Sequence, residues 1–86
     1  MSMHLDAANI LPKFAYQGLV MDAAKLRYAP HPDIIFPSVI ATDARWQNPL
    51  GKFYLYYAPH DAPGGLCLAY ADNPAGPWIE YPNNPI

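Results

Sequence analysis

Apolar positions alternate most cleanly over residues 52–58. Phe53, Leu55 and Tyr57 fall on one side of an extended chain there, and Tyr54 and Tyr56 on the other. A period of two marks a β-strand, and aromatic side chains favour that conformation. Residues 66–71 repeat the pattern, with Leu66, Leu68 and Tyr70 opposed to Cys67, Ala69 and Ala71. Residues 36–42 carry Val39 and Ile40, led in by Ile34 and Ile35, and residues 78–81 form a short fourth stretch. The linkers 43–51, 59–65 and 72–77 are rich in Pro, Gly, Asp and Asn, which are turn residues. The pattern predicts an all-β unit of four antiparallel strands joined by hairpins. Neither side of the third strand carries a charge, so both of its faces are expected to be buried, and a sheet apolar on both sides needs a neighbour on each.

The first 32 residues read differently. Asp6-Ala7-Ala8-Asn9 starts a helical turn that Pro12 ends. Residues 14–21 predict a short extended segment and residues 22–27 one helical turn. Ala29-Pro30-His31-Pro32 then forces extended backbone. The expected organisation is an irregular N-terminal arm over 1–32 that wraps the rest of the protein or supplies a closing strand to another blade, followed by one sheet over 33–86.

Composition sharpens this picture. Of the 86 residues, 52% are hydrophobic and 14% charged, against about a quarter charged in an average domain. That excess suits a piece of a larger core, because a single four-stranded sheet cannot bury both of its own faces. Four-stranded antiparallel sheets of this kind are the blades of β-propellers. No internal repeat supplies a second one. The chain is therefore expected to be the opening portion of a longer protein. Net charge is −2 with no basic cluster, which argues against nucleic-acid binding. No apolar run is long enough to span a membrane, and the first residues lack a secretory pattern. A cytoplasmic location is the default. Cys67 is the sole cysteine, so no internal disulfide forms.

Antiparallel geometry brings chemistry together. The start of the first strand, the end of the second and the start of the third lie at one end of the sheet. His31, Asp33, His60 and Asp61 therefore share a rim, and rim loops on a rigid scaffold are the usual place for a binding site. Such a set offers a carboxylate base and hydrogen bonds to hydroxyl groups. Its irregular spacing is a weak metal pattern. The plainer readings are a turn built around His60-Asp61 and a strand cap at Asp33. Gly64-Gly65 reads as a tight bend, Cys67 as a small buried residue, and Trp46 and Trp78 as packing residues.

Gly51-Lys52-Phe53-Tyr54-Leu55-Tyr56-Tyr57, then Leu68-Ala69-Tyr70-Ala71-Asp72, then Gly76-Pro77-Trp78 resemble a blade of the five-bladed β-propeller glycoside hydrolases of family 43. The resemblance covers about residues 32–86, and its motifs are structural ones. It implies a carbohydrate substrate and hydrolysis of an O-glycosidic bond; the residues themselves give no reason to expect a cofactor or metal. The missing blades, or further copies of the chain, would be the partners. The family's general base is an Asp just before a Pro in the first blade. Here Phe36 precedes Pro37, so either Asp33 or Asp61 substitutes as catalytic carboxylate, with His31 and His60 binding substrate, or the chain belongs to a divergent branch with another mechanism or none. Hydrolysis also needs an acid carboxylate, which would come from another blade, so the isolated fragment is expected to be inactive. A non-catalytic carbohydrate-binding or structural propeller is the alternative, as is a single-blade protein that self-assembles.

Overall fold

The structure, a computed structural model, describes residues 12–30, 33–61 and 63–86. The expected helical turn near Asp6 and the position of His31 lie outside them. Among the described residues the chain is all-β apart from one 3-10 turn, Ala23–Lys25. Four strands follow: β1 Ile34–Ala41, β2 Phe53–Pro59, β3 Cys67–Ala71 and β4 Ile79–Glu80. They form one antiparallel sheet in the order β1-β2-β3-β4. No described helix is long and apolar enough to cross a membrane.

The period-two pattern fixes the central register. Leu55 sits opposite Ala69, and Tyr57 opposite Cys67, so large side chains face small ones on one surface. The arm covers that surface. Ala23 and Leu26 pack with Leu55, Tyr57, Cys67 and Ala69, while Met21, Tyr28, Ile34 and Trp78 close the margins. Asp22 starts the 3-10 turn by accepting the Ala24 N–H at 3.0 Å, the usual role of Asp at an N-cap. Burying side chains of this size stabilises the fold by about 1.5–3 kcal/mol for each large one.

The arm is held by one carboxylate. Glu80 accepts the backbone N–H of Arg27 at 2.7 Å and that of Tyr28 at 2.8 Å. The Arg27 guanidinium reaches the same carboxylate at 3.4 Å and the Glu80 carbonyl at 2.9 Å. The Glu80 side chain is only 10% exposed. Beyond the two-residue β4, the chain goes on satisfying the free side of β3. Asn84 accepts the Leu68 N–H at 2.9 Å and donates to the Leu68 carbonyl at 3.0 Å. Ile86 donates to the Leu66 carbonyl at 2.8 Å.

On the opposite face, the loop before β2 folds back. Trp46 meets Tyr54 edge-on at 5.1 Å, and the Tyr54 hydroxyl accepts the Leu50 N–H at 3.0 Å. Gly51 lies so close to β3 that a Cβ would stand 2.8 Å from the Ala71 carbonyl oxygen. Trp78 ties its own turn by donating to the Pro74 carbonyl at 3.0 Å.

One expectation needs correction. The first strand begins at Ile34 rather than at residue 36. Ile34 and Ile35 already pair with Pro59 and Ala58, and the register slips before Ser38 pairs with Tyr56. Phe36 and Pro37 thus oppose the single residue Tyr57 in a β-bulge. Phe36 takes a φ of 53° there, in the left-handed region that favours glycine. The third strand is buried on both faces as expected, with Cys67, Leu68, Ala69 and Ala71 all buried. From Phe36 onward β1 is exposed, because the arm and the loop cover mainly β2 and β3.

Replacing Glu80 with Ala removes the acceptor of two backbone donors and is expected to cost about 1–2 kcal/mol. Replacing the exposed Arg27 with Ala is expected to cost about 0.5 kcal/mol or less. Urea midpoints at one fixed protein concentration check both. Phe36→Gly is expected to raise the midpoint, corresponding to about 0.5–1 kcal/mol of added stability, since glycine relieves the left-handed backbone and loses little buried surface. A lowered midpoint would show that Phe36 supports the fold.

Candidate functional site

The rim predicted from strand direction forms. Continuing the β1–β2 register one step beyond Ile34 and Pro59 sets Asp33 opposite His60. Their side chains meet, with Asp33 Oδ1 3.0 Å from His60 Nδ1. Both remain about half exposed, at 56% and 52%, so a ligand can reach them. The same exposure makes the pair a weak contributor to stability, about 1 kcal/mol at most.

Asp61 follows on the same loop and is exposed. Its backbone carbonyl accepts the Gly64 N–H at 3.1 Å, closing a turn. Gly64 and Gly65 complete that turn with φ values of 72° and 103°, which explains two glycines in succession. A Cβ at Gly65 would also meet Pro85 at 2.8 Å. The structure therefore brings Asp33 and His60 together and sets Asp61 next in the chain, while His31 lies outside the described residues. Among the described residues no group of three or more His, Cys, Asp and Glu side chains could hold a metal ion.

The loop is positioned from the arm. The Tyr28 hydroxyl donates to the Gly64 carbonyl at 2.7 Å, and the Tyr28 backbone is held by Glu80. A path of hydrogen bonds thus runs from β4 through the arm to the loop that carries His60 and Asp61. Sequence reasoning singled out neither Glu80 nor Tyr28. The available signal was that Glu80 is the sole acidic residue within the four predicted strands.

A separate apolar groove of about 390 Å³ runs between the arm and β1, lined among others by Tyr16, Leu19, Val39, Leu55 and Trp78. Asp33, His60 and Asp61 are not among its lining residues.

In the core, two groups hold their protons firmly. Burial pushes the Cys67 thiol above its ordinary 9.0, and the Glu80 carboxylate adds to the shift. Burial also pushes the Tyr57 phenol well above its ordinary 10.0; Cys67 and Glu80 add to this, and the hydrogen bond from Asn84 partly offsets it. No family model, curated protein or solved structure matches this chain.

Because both pKa values are raised in the fold, the unfolded chain releases these protons first. Their contribution to stability is complete below the unfolded values and is lost as pH rises through about 9 and above. The urea midpoint is expected to stay level from about pH 7 to 8 and to fall beyond about pH 9. Cys67→Ala should remove the earlier part of that fall. A midpoint that rises above pH 9 would contradict the assignment.

Proposed function

We propose that this sheet is a blade of a five-bladed β-propeller resembling the glycoside hydrolases of family 43. On this reading the completed propeller binds a carbohydrate at the Asp33–His60 rim and hydrolyses its glycosidic bond. The observation that carries the reading is the Asp33–His60 contact of 3.0 Å at the head of the first strand. It supplies a carboxylate oriented by an imidazole, at the end of the sheet where three strand ends converge.

Further support comes from the motif residues. Gly51 allows the close approach of β2's leading turn to Ala71, and Trp78 closes the Gly-Pro-Trp turn through Pro74. Those are structural roles of the kind the resemblance implies. The uncharged, exposed β1 suits a strand that faces other blades, whether from a longer chain or from further copies. In the hydrolysis, Asp33 takes a proton from water as the water oxygen bonds to the anomeric carbon. The glycosidic C–O bond breaks, and its oxygen takes a proton from an acid carboxylate of another blade. His60 donates to the Asp33 carboxylate and keeps it aimed. Asp61, next on the loop, is the runner-up for the base.

One observation favours a second reading, a propeller that binds carbohydrate without cleaving it. Phe36 stands where the family's base would stand, at the bulge before Pro37.

Assaying the whole protein on a panel of chromogenic aryl glycosides separates these readings. Asp33→Asn is expected to lower kcat by about 10²–10⁴-fold while leaving the urea midpoint within about 1 kcal/mol. Unchanged turnover in that variant would overturn the role of Asp33, and loss in Asp61→Asn instead would transfer it. Glycan binding without turnover in the wild type would select the non-catalytic reading.

A further inference from the structure

The arm carries apolar side chains that its own fold does not cover. Residues 14–21 contain no charge, yet Phe14 is 90% exposed, Tyr16 88% and Leu19 76%. Among the described residues, no backbone–backbone hydrogen bond involves residues 12–21. The arm first joins the core at Met21. The sheet is open beside it, with Val39 half exposed. The two surfaces meet in the groove of about 390 Å³, which Tyr16, Leu19 and Val20 line from the arm and Val39, Leu55 and Trp78 from the sheet. None of its lining residues is charged.

The size of this patch is informative. Phe14 and Tyr16 offer about 300–400 Å² of apolar surface between them, and Leu19, Val20 and Val39 add about 100–200 Å². An ordinary stable interface takes about 800 Å² from each partner, a little over half of it apolar. The patch therefore matches one side of such an interface.

Charge indicates which partner fits. Lys13 and Asp22 flank the uncharged run. Asp22 accepts the Ala24 N–H at Oδ1, which leaves Oδ2 to face a cation. Two arms laid antiparallel about a two-fold axis set each Lys13 opposite the partner's Asp22, with the apolar residues between. Laid parallel, they set like charges together, which is unfavourable. A two-fold contact uses the same patch on both copies and closes at two. The arm thus complements a second copy of itself in apolar area and in charge.

We infer that the arm and its groove are the interface at which two copies of this chain pair about a two-fold axis, with their arms antiparallel. This goes beyond the carbohydrate reading and does not rest on it: the dimer stands even where the Asp33–His60 rim binds no glycan.

Sedimentation equilibrium of the full chain, from low to tens of micromolar, is expected to show a species of twice 9.6 kDa. Leu19→Asp should remove that species throughout the range. Lys13→Asp and Asp22→Lys should each weaken pairing by about three- to tenfold, because each exposed ion pair occurs twice in the dimer. The double variant Lys13→Asp/Asp22→Lys should recover wild-type pairing, as only antiparallel arms allow. Asp22 also caps the 3-10 turn, so urea midpoints are read beside the masses. If Asp22→Lys lowers the midpoint, Lys13→Asp and the decline of wild-type pairing with added salt carry the charge test. Pairing that Lys13→Asp leaves at full strength would overturn the antiparallel arms. A monomer throughout, or a closed assembly of more than two copies, would overturn the interface.

Discussion

The Glu80 carboxylate is the interaction on which the rest of the structure depends. A carboxylate largely removed from water needs several donors, and charge-assisted hydrogen bonds are the strong ones. Glu80 finds its donors in the arm, from two successive backbone N–H groups and a guanidinium. That pins the arm across the sheet. Ala23 and Leu26 then close the core over Tyr57, which is 1% exposed, and over Cys67. Tyr28, fixed at its backbone, spends its hydroxyl on the loop at the site. Fold and site share one anchor, contributed by a strand of two residues.

Coverage of the sheet is unequal, and the inequality has functional weight. The arm shields one face of β2 and β3, and the Trp46 loop leans on the other. β1 is left uncharged and exposed, with Val39 and Ile40 open. A bare apolar edge strand normally invites aggregation, and bulges and prolines are standard defences. The Phe36–Pro37 bulge supplies both, because Pro37 has no N–H to offer a new strand. The edge is thereby blunted against further strand pairing, while its side chains remain available for contact.

Much of this was legible in the sequence, for definite reasons. Alternation is a local property, so β2 and β3 could be read from Phe53 to Tyr57 and from Cys67 to Ala71. Strand direction alone then brought Asp33 and His60 to one rim. The bulge was not legible, because the φ of Phe36 is set by pairing on both sides of it rather than by its own preference. Burial of both faces of β3 was legible in its uncharged alternation, whereas an apolar pattern alone does not say what covers β1. Glu80 escaped notice because an acidic residue in an outer strand normally reads as facing solvent; its partners are more than fifty residues away in sequence.

The proposal to be tested is that the exposed part of β1, with the apolar groove beside it, faces neighbouring sheets. The most direct measurement is the mass of the chain in solution, by size exclusion with light scattering, from low to tens of micromolar. The account predicts a discrete assembly whose mass is a multiple of 9.6 kDa, because Val39, Tyr16 and Leu19 need cover. A monodisperse, cooperatively folded monomer throughout that range would contradict it.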